Sequence, residues 1–216
     1  MLNKIDLSEY KTFIFDCDGV ILNSNHIKTD AFFEIACNYG RESAEKLKEY
    51  HIDNAGISRA NKFKYLFKEI LNKTISESDI NVLQKIFAKK ILEDLQKCEI
   101  DHELYNLRKS YPNSNWAVIS GGDQSELRNV FSMRGIDSLF NMGIFGSPLN
   151  KEDIISAENF DQRENYPVLF LGDSKYDFDV SLKFQMDFVF VSHWSNLPNW
   201  QSFVKNHKLN HINSIG

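Results

Sequence analysis

A chain of 216 residues suits one domain carrying an insertion, and it is long enough to bury a sizeable core without staples. Its 25 basic and 30 acidic side chains leave a formal charge of −5, which argues against an electrostatic footprint for nucleic acid. The three cysteines, Cys17, Cys37 and Cys98, are odd in number and widely spaced, so they suggest neither a disulfide framework nor a zinc site and fit a reducing compartment.

Met1–Tyr10 lacks the apolar core of a signal peptide, and no apolar run approaches the roughly 20 residues needed to span a bilayer. A soluble, cytoplasmic protein is expected. The first strand is expected at Thr12-Phe13-Ile14-Phe15, an almost wholly apolar run of the kind that parallel strands covered on both faces require. It stops at Asp16-Cys17-Asp18-Gly19 and so delivers Asp16 to a sheet edge. Ile27, Ala31, Ile35 and Tyr39 then recur every four residues, with Gly40 as a stop. Helical patterns resume over Glu42–Tyr50 and Ser58–Leu71, and again from Ser76, with Asp79 completing a weak capping box. The last of these carries the stripe Leu83, Phe87, Ile91, Leu95. No convincing strand lies between Asn25 and Cys98, so residues 23–100 are expected to form a compact helical unit whose phenylalanines are mainly core.

From Tyr111 the texture changes. Strands are expected at Trp116–Ile119, Gly143–Phe145, Val168–Leu171 and Phe188–Val191. They alternate with helices at Asp123–Arg134 (capped by Asp123 with Glu126 at the third position), after Lys151, and over Tyr176–Phe184. This alternation predicts an α/β fold, a doubly wound and mostly parallel sheet formed by residues 1–22 and 101–216, with the helical unit inserted after its first strand.

In such a sheet, ligands collect at the carboxyl ends of the strands. There the sequence places Asp16 and Asp18, Ser120-Gly121-Gly122, and Gly172-Asp173-Ser174 with Asp177 one turn on, while Lys151 opens a helix. Carboxylates facing one another repel unless a cation holds them ionised, and Mg2+ favours carboxylate oxygen. With that ion, Asp16 is suited to attack phosphorus. Asp18, two residues on, projects to the same side, where it would protonate the departing oxygen and then activate water. Ser120, Lys151 and the N–H groups of the glycine turn would hold the equatorial oxygens.

Four segments resemble the motifs of the haloacid dehalogenase superfamily: Phe15-Asp16-Cys17-Asp18-Gly19-Val20, Val118-Ile119-Ser120-Gly121, Lys151 after Phe145-Gly146-Ser147-Pro148, and Gly172-Asp173-Ser174-Lys175-Tyr176-Asp177. The resemblance covers nearly the whole chain. It implies a Rossmann-like core with a helical cap, Asp16 as nucleophile, Asp18 as general acid/base, Ser120 as phosphate binder and Lys151 as charge stabiliser. It also implies a Mg2+ shell from Asp16, the backbone carbonyl of Asp18, Asp173 and Asp177. Gly56-Ile57-Ser58-Arg59 resembles a cap segment of the β-phosphoglucomutase-like branch, which makes Arg59 a candidate for substrate, together with Gly121, Lys28 and Lys62. The implied reaction is hydrolysis of a small phosphate ester, a sugar phosphate or a phosphoglycolate-like compound, by a monomer or homodimer. Because Asp18 is present, dehalogenation is not implied. Mutases of the superfamily carry a histidine twelve residues after the nucleophile, where this chain has Lys28, so phosphomutase activity is a lesser alternative. A non-catalytic binding protein on the same fold is a third, although no motif residue is missing. Departures from the family pattern are Asn23 where an acid is common, the bulky Leu182 and Phe184, and Gln185 in place of glycine.

Overall fold

The first apolar run forms β1 (Thr12–Phe15), every residue of which is buried. Its side chains alternate between two cores: Phe13 and Phe15 join one hydrophobic cluster, Ile14 the other. Further strands are β2 (Asn115–Asp123), β3 (Gly143–Ser147), β4 (Val168–Gly172), β5 (Asp187–Val191) and β6 (Asn210–Ile212). They pair in the order β3-β2-β1-β4-β5-β6, all parallel, the doubly wound order in which a ligand crevice opens beside the first strand. The computed structural model describes residues 6–215. Met1–Ile5 and Gly216, the outer ends of the two segments expected to build the core, lie outside the described residues.

Between β1 and β2 the insertion contributes four helices: α1 (Asn25–Cys37), α2 (Arg41–Asp53), α3 (Arg59–Tyr65, continued by a π-helical turn over Leu66–Ile70) and α4 (Glu77–Lys97). No strand interrupts them. The expected α4 stripe is buried in full, and Ser76 caps that helix by accepting from the Asp79 N–H at 3.1 Å. Phe32, Phe63 and Phe87 form an aromatic cluster inside the insertion. The chain leaves and re-enters the sheet at one place, where Leu22 bridges Ile100 and the Asn23 N–H donates to Glu99 O at 2.9 Å.

The remaining helices are α5 (Leu104–Ser110), α6 (Gln124–Met133), α7 (Lys151–Ala157), α8 (Lys175–Lys183) and α9 (Trp200–His207). Neither α5, α9 nor β6 was expected. The first two span about two turns, too few for a 3.6-residue period to stand out, and β6 is a three-residue edge strand with a polar sequence. The strand expected to end at Ile119 runs on to Asp123, with a register shift between those two residues. Ser120-Gly121-Gly122 is thus a bulge beside the crevice, and its glycines allow the backbone to bend there. Two departures from the family pattern fit locally. Leu182 points to solvent, 58% exposed, so its bulk does not part α8 from the sheet. Gln185 adopts the left-handed conformation, φ 54°, that explains why glycine is common at this position.

Candidate active site

The sheet and the insertion meet over the carboxyl ends of β1, β2 and β4. Asp16 follows β1 and is held by its N–H donating to Leu171 O on β4 at 2.9 Å. Asp173 follows β4 and accepts from Asn25 Nδ2 at 2.8 Å. Asp177 sits in the first turn of α8, where it closes a capping box with Ser174. Oxygens of Asp16, Asp173 and Asp177 all lie within 4.8 Å of one another, and the three residues are buried. Gly19 (φ 79°) gives Asp173 its room, because a Cβ there would collide with the Asp173 carboxylate and with Asn25.

Only one cation reaches this trio among the described residues. Lys151 Nζ donates to Asp177 Oδ1 at 2.5 Å and lies 2.8 Å from Asp16 Oδ1. Apart from that ammonium, Asp16 Oδ1 has no donor near it. Burial pushes the Asp16 carboxyl up to about 7, against the pull of Lys151 and with the help of Asp177 and Asp18. Burial, then Asp16 and Asp177, raise Asp173 well above the usual carboxylate range. The Lys151 ammonium is disfavoured by burial, but Asp16 and Asp177 outweigh that and raise its pKa. Three crowded carboxylates served by a single ammonium form a set that a hard divalent cation fits.

Asp18 stands apart from the trio. Its carboxylate accepts from Ser24 Oγ at 2.6 Å and from Lys28 Nζ at 2.5 Å. Burial pushes its pKa up, but Lys28 and Ser24 hold it below the ordinary value. Ser120 is fully buried, and its Oγ accepts the Gly122 N–H at 3.0 Å, within the bulge. Gly121 lies against the backbone of Gly56 from the insertion, so closely that a Cβ on Gly121 would collide with the Gly56 carbonyl.

The insertion roofs the crevice and leaves a cavity of about 40 Å³, whose walls include Asp16, Asp18, Lys28, Lys62, Phe32 and Phe87. That is space for little more than one water molecule, so the insertion is closed over the site. Arg59 also borders the cavity, but its guanidinium binds Glu126 on α6 through two hydrogen bonds, at 2.6 and 3.1 Å. The Asp123 side chain does cap α6 through the Glu126 N–H at 3.0 Å, while the Glu126 carboxylate turns to Arg59 instead of completing a box. Lys62 meets His51 Nδ1 at 2.7 Å. Sequence patterns singled out neither Glu126 as a partner nor His51. Glu126 was legible only as a helix-start acid, and His51 carried no signal.

The profile of the haloacid dehalogenase-like hydrolases matches residues 13–191. No curated protein matches the sequence significantly. Solved structures with the same fold include a haloacid dehalogenase-like family hydrolase from Streptococcus pneumoniae, with 15% identity, TM-score 0.65, and coverage of 95% of this chain and 94% of that one. A provisionally assigned phosphoglycolate phosphatase from Lactobacillus plantarum has 17% identity, TM-score 0.68 and 95% coverage of each chain. A β-phosphoglucomutase from Clostridium difficile has 21% identity, TM-score 0.68, and coverage of 95% and 91%.

Proposed function

The chain belongs to the haloacid dehalogenase-like hydrolases, and on that premise we propose that it is a Mg2+-dependent phosphomonoesterase with Asp16 as nucleophile. One observation carries this reading: Asp16, Asp173 and Asp177 converge beside Lys151, with a second acid, Asp18, two residues from the nucleophile. Asp16, Asp173, Asp177 and the Asp18 carbonyl would hold the ion, which supplies charge neutralisation for the carboxylates and for the phosphate. An Asp16 oxygen attacks phosphorus as the ester P–O bond breaks, and the departing oxygen takes a proton from Asp18. Water then cleaves the aspartyl phosphate and gives its proton to Asp18. Ser120, Lys151 and the N–H of Gly121 steady the transferring group.

Lys28 adds a control on this cycle. Paired with it, Asp18 rests ionised, ready to act as base but not as acid. An arriving phosphate dianion competes for the Lys28 ammonium and thereby frees Asp18 to take up a proton. The helical insertion acts as a cap: the closed cavity has room for little more than one water molecule, so substrate must enter with the cap open, and the enclosed site speaks for a small ester such as a sugar phosphate or phosphoglycolate-like compound. The Cys17, Cys37 and Cys98 thiols of the chain are free and no described helix is long and apolar enough to cross a membrane, features compatible with a cytoplasmic enzyme.

The test is phosphate release from a panel of phosphorylated metabolites, with and without Mg2+, by wild type and Asp16→Asn. Mg2+-dependent turnover lost in the variant is expected. Equal turnover by Asp16→Asn would overturn the assignment, and isomerisation of a hexose phosphate without phosphate release would favour the mutase alternative.

A further inference from the structure

Four cations border or approach the closed cavity, and three of them are matched by acids. Lys151 faces Asp16 and Asp177, Lys28 faces Asp18 at 2.5 Å, and Arg59 is bound at both ends of its fork by Glu126. The fourth, Lys62, has no carboxylate within ion-pair reach among the described residues. It is 3% exposed, its Nζ is 2.7 Å from His51 Nδ1, and it lies 5.5 Å from the centroid of the Phe32 ring. Among the described residues its one hydrogen-bond partner is an imidazole. Burial, with Lys62 and Lys28 close by, keeps that imidazole neutral by pulling its pKa well below the usual value. A neutral His51 accepts one Lys62 proton through Nδ1 and leaves two ammonium donors for another partner.

A buried ammonium with spare donors is costly unless an anion meets it. No described carboxylate supplies that anion here, although each of the other cations has one. The phosphate end of the cavity is already defined by Asp16, Gly121 and Asp173, if the phosphatase reading holds, whereas Lys62 belongs to the roof. We propose that Lys62 anchors a second anionic group of the substrate, so that the protein selects phosphate esters that also carry a carboxylate over esters of neutral alcohols. Arg59 does not perform this task, because Glu126 occupies its guanidinium. The two ammonium donors that His51 leaves free match the two oxygens of a carboxylate, which makes a carboxylate the anion of choice over a second phosphate. Phe32 and Phe87, which also line it, leave few other polar partners for the organic part of the ligand.

The experiment measures binding calorimetrically with Asp16→Asn in the presence of Mg2+, which separates recognition from turnover. Three probes are compared: 2-phosphoglycolate, 2-hydroxyethyl phosphate and ethylene glycol bisphosphate. The first should bind at least tenfold more tightly than the second. Lys62→Met should bring the two to parity, and Lys62→Arg should retain most of the difference. A melting curve verifies folding, and Lys62→Gln replaces Lys62→Met if the latter does not fold. Parity in the parent protein, or a preference that survives loss of the ammonium, overturns the proposal. Tightest binding of the bisphosphate, lost in Lys62→Met, overturns the choice of carboxylate and retains the anchor. Selective binding of 2-phosphoglycolate without turnover by wild type would refute the phosphatase reading while leaving the Lys62 assignment standing.

Discussion

Arg59 and Glu126, 67 residues apart in sequence, clasp each other through two hydrogen bonds across the seam between the helical insertion and the sheet. Both side chains are buried, at 5% and 8% exposure, and the guanidinium also lies 4.8 Å from the centroid of the Phe87 ring. The pair ties α3 to α6 when the crevice is closed. Removing one partner strands a charge, at a cost of roughly 3–5 kcal/mol for a buried pair. Glu126→Leu and Arg59→Met should each lower the melting temperature by several degrees, and the double variant should lose less than the sum. Thermal denaturation of all four proteins checks this as a double-mutant cycle.

A second contact across the seam is backbone on backbone, Gly121 against Gly56. Gly121→Ala places a methyl group where the Gly56 carbonyl sits, and Gly56 (φ 84°) has little freedom to take a side chain itself. The variant should therefore hold the insertion ajar. KM for a phosphate ester should rise about tenfold or more, and small-angle scattering should show a larger radius of gyration, with the secondary structure unchanged.

Lys28 holds Asp18 below the ordinary carboxylate range. In Lys28→Met that hold is lost, and burial then raises the pKa of the acid. The alkaline limb of kcat/KM for an alkyl phosphate, which needs a protonated Asp18, should move up by about one pH unit, equivalent to about 1.4 kcal/mol. An aryl phosphate with a good leaving group should show a smaller shift. Paired pH–rate profiles give the answer.

Burial, with Lys28 nearby, lowers the Lys62 pKa to about 7. Between that value and 10.5 the unfolded chain carries a proton that the folded one lacks, so stability rises with pH across the window. The penalty is full below about 7 and has faded by about 10.5. The stability of Lys62→Met minus that of wild type should therefore be largest near pH 6 and shrink towards pH 9.5, as urea denaturation at several pH values will show.

Crowding of Asp16, Asp173 and Asp177 makes a divalent ion a structural partner as well as a chemical one. Mg2+ at 100 times its Kd should add about 2.7 kcal/mol, or roughly 5–10 °C in melting temperature for a chain of this size. Asp173→Asn removes one of the repelling charges. It should melt above wild type in a chelator and respond weakly to Mg2+.

How much of this was legible beforehand follows from the range of the forces involved. Apolar runs ending in acids identified β1 and β4, because a strand buried on both faces cannot tolerate charge until it leaves the sheet. The stripe from Leu83 to Leu95 identified α4, because helical period is a local property. The four motifs located Asp16, Asp18, Ser120, Lys151, Asp173 and Asp177 by the same logic, one strand end or helix start at a time. Partnership was not legible. Arg59 offered a free fork in sequence, and only the closure of α3 onto α6 gave it Glu126. Lys62 was a candidate for substrate in the sequence, but only folding buried it beside His51 with no described carboxylate in ion-pair reach. Strand ends and helix faces are set by neighbours a few residues away, whereas the charge balance of a buried cavity depends on side chains that meet only when two distant segments pack.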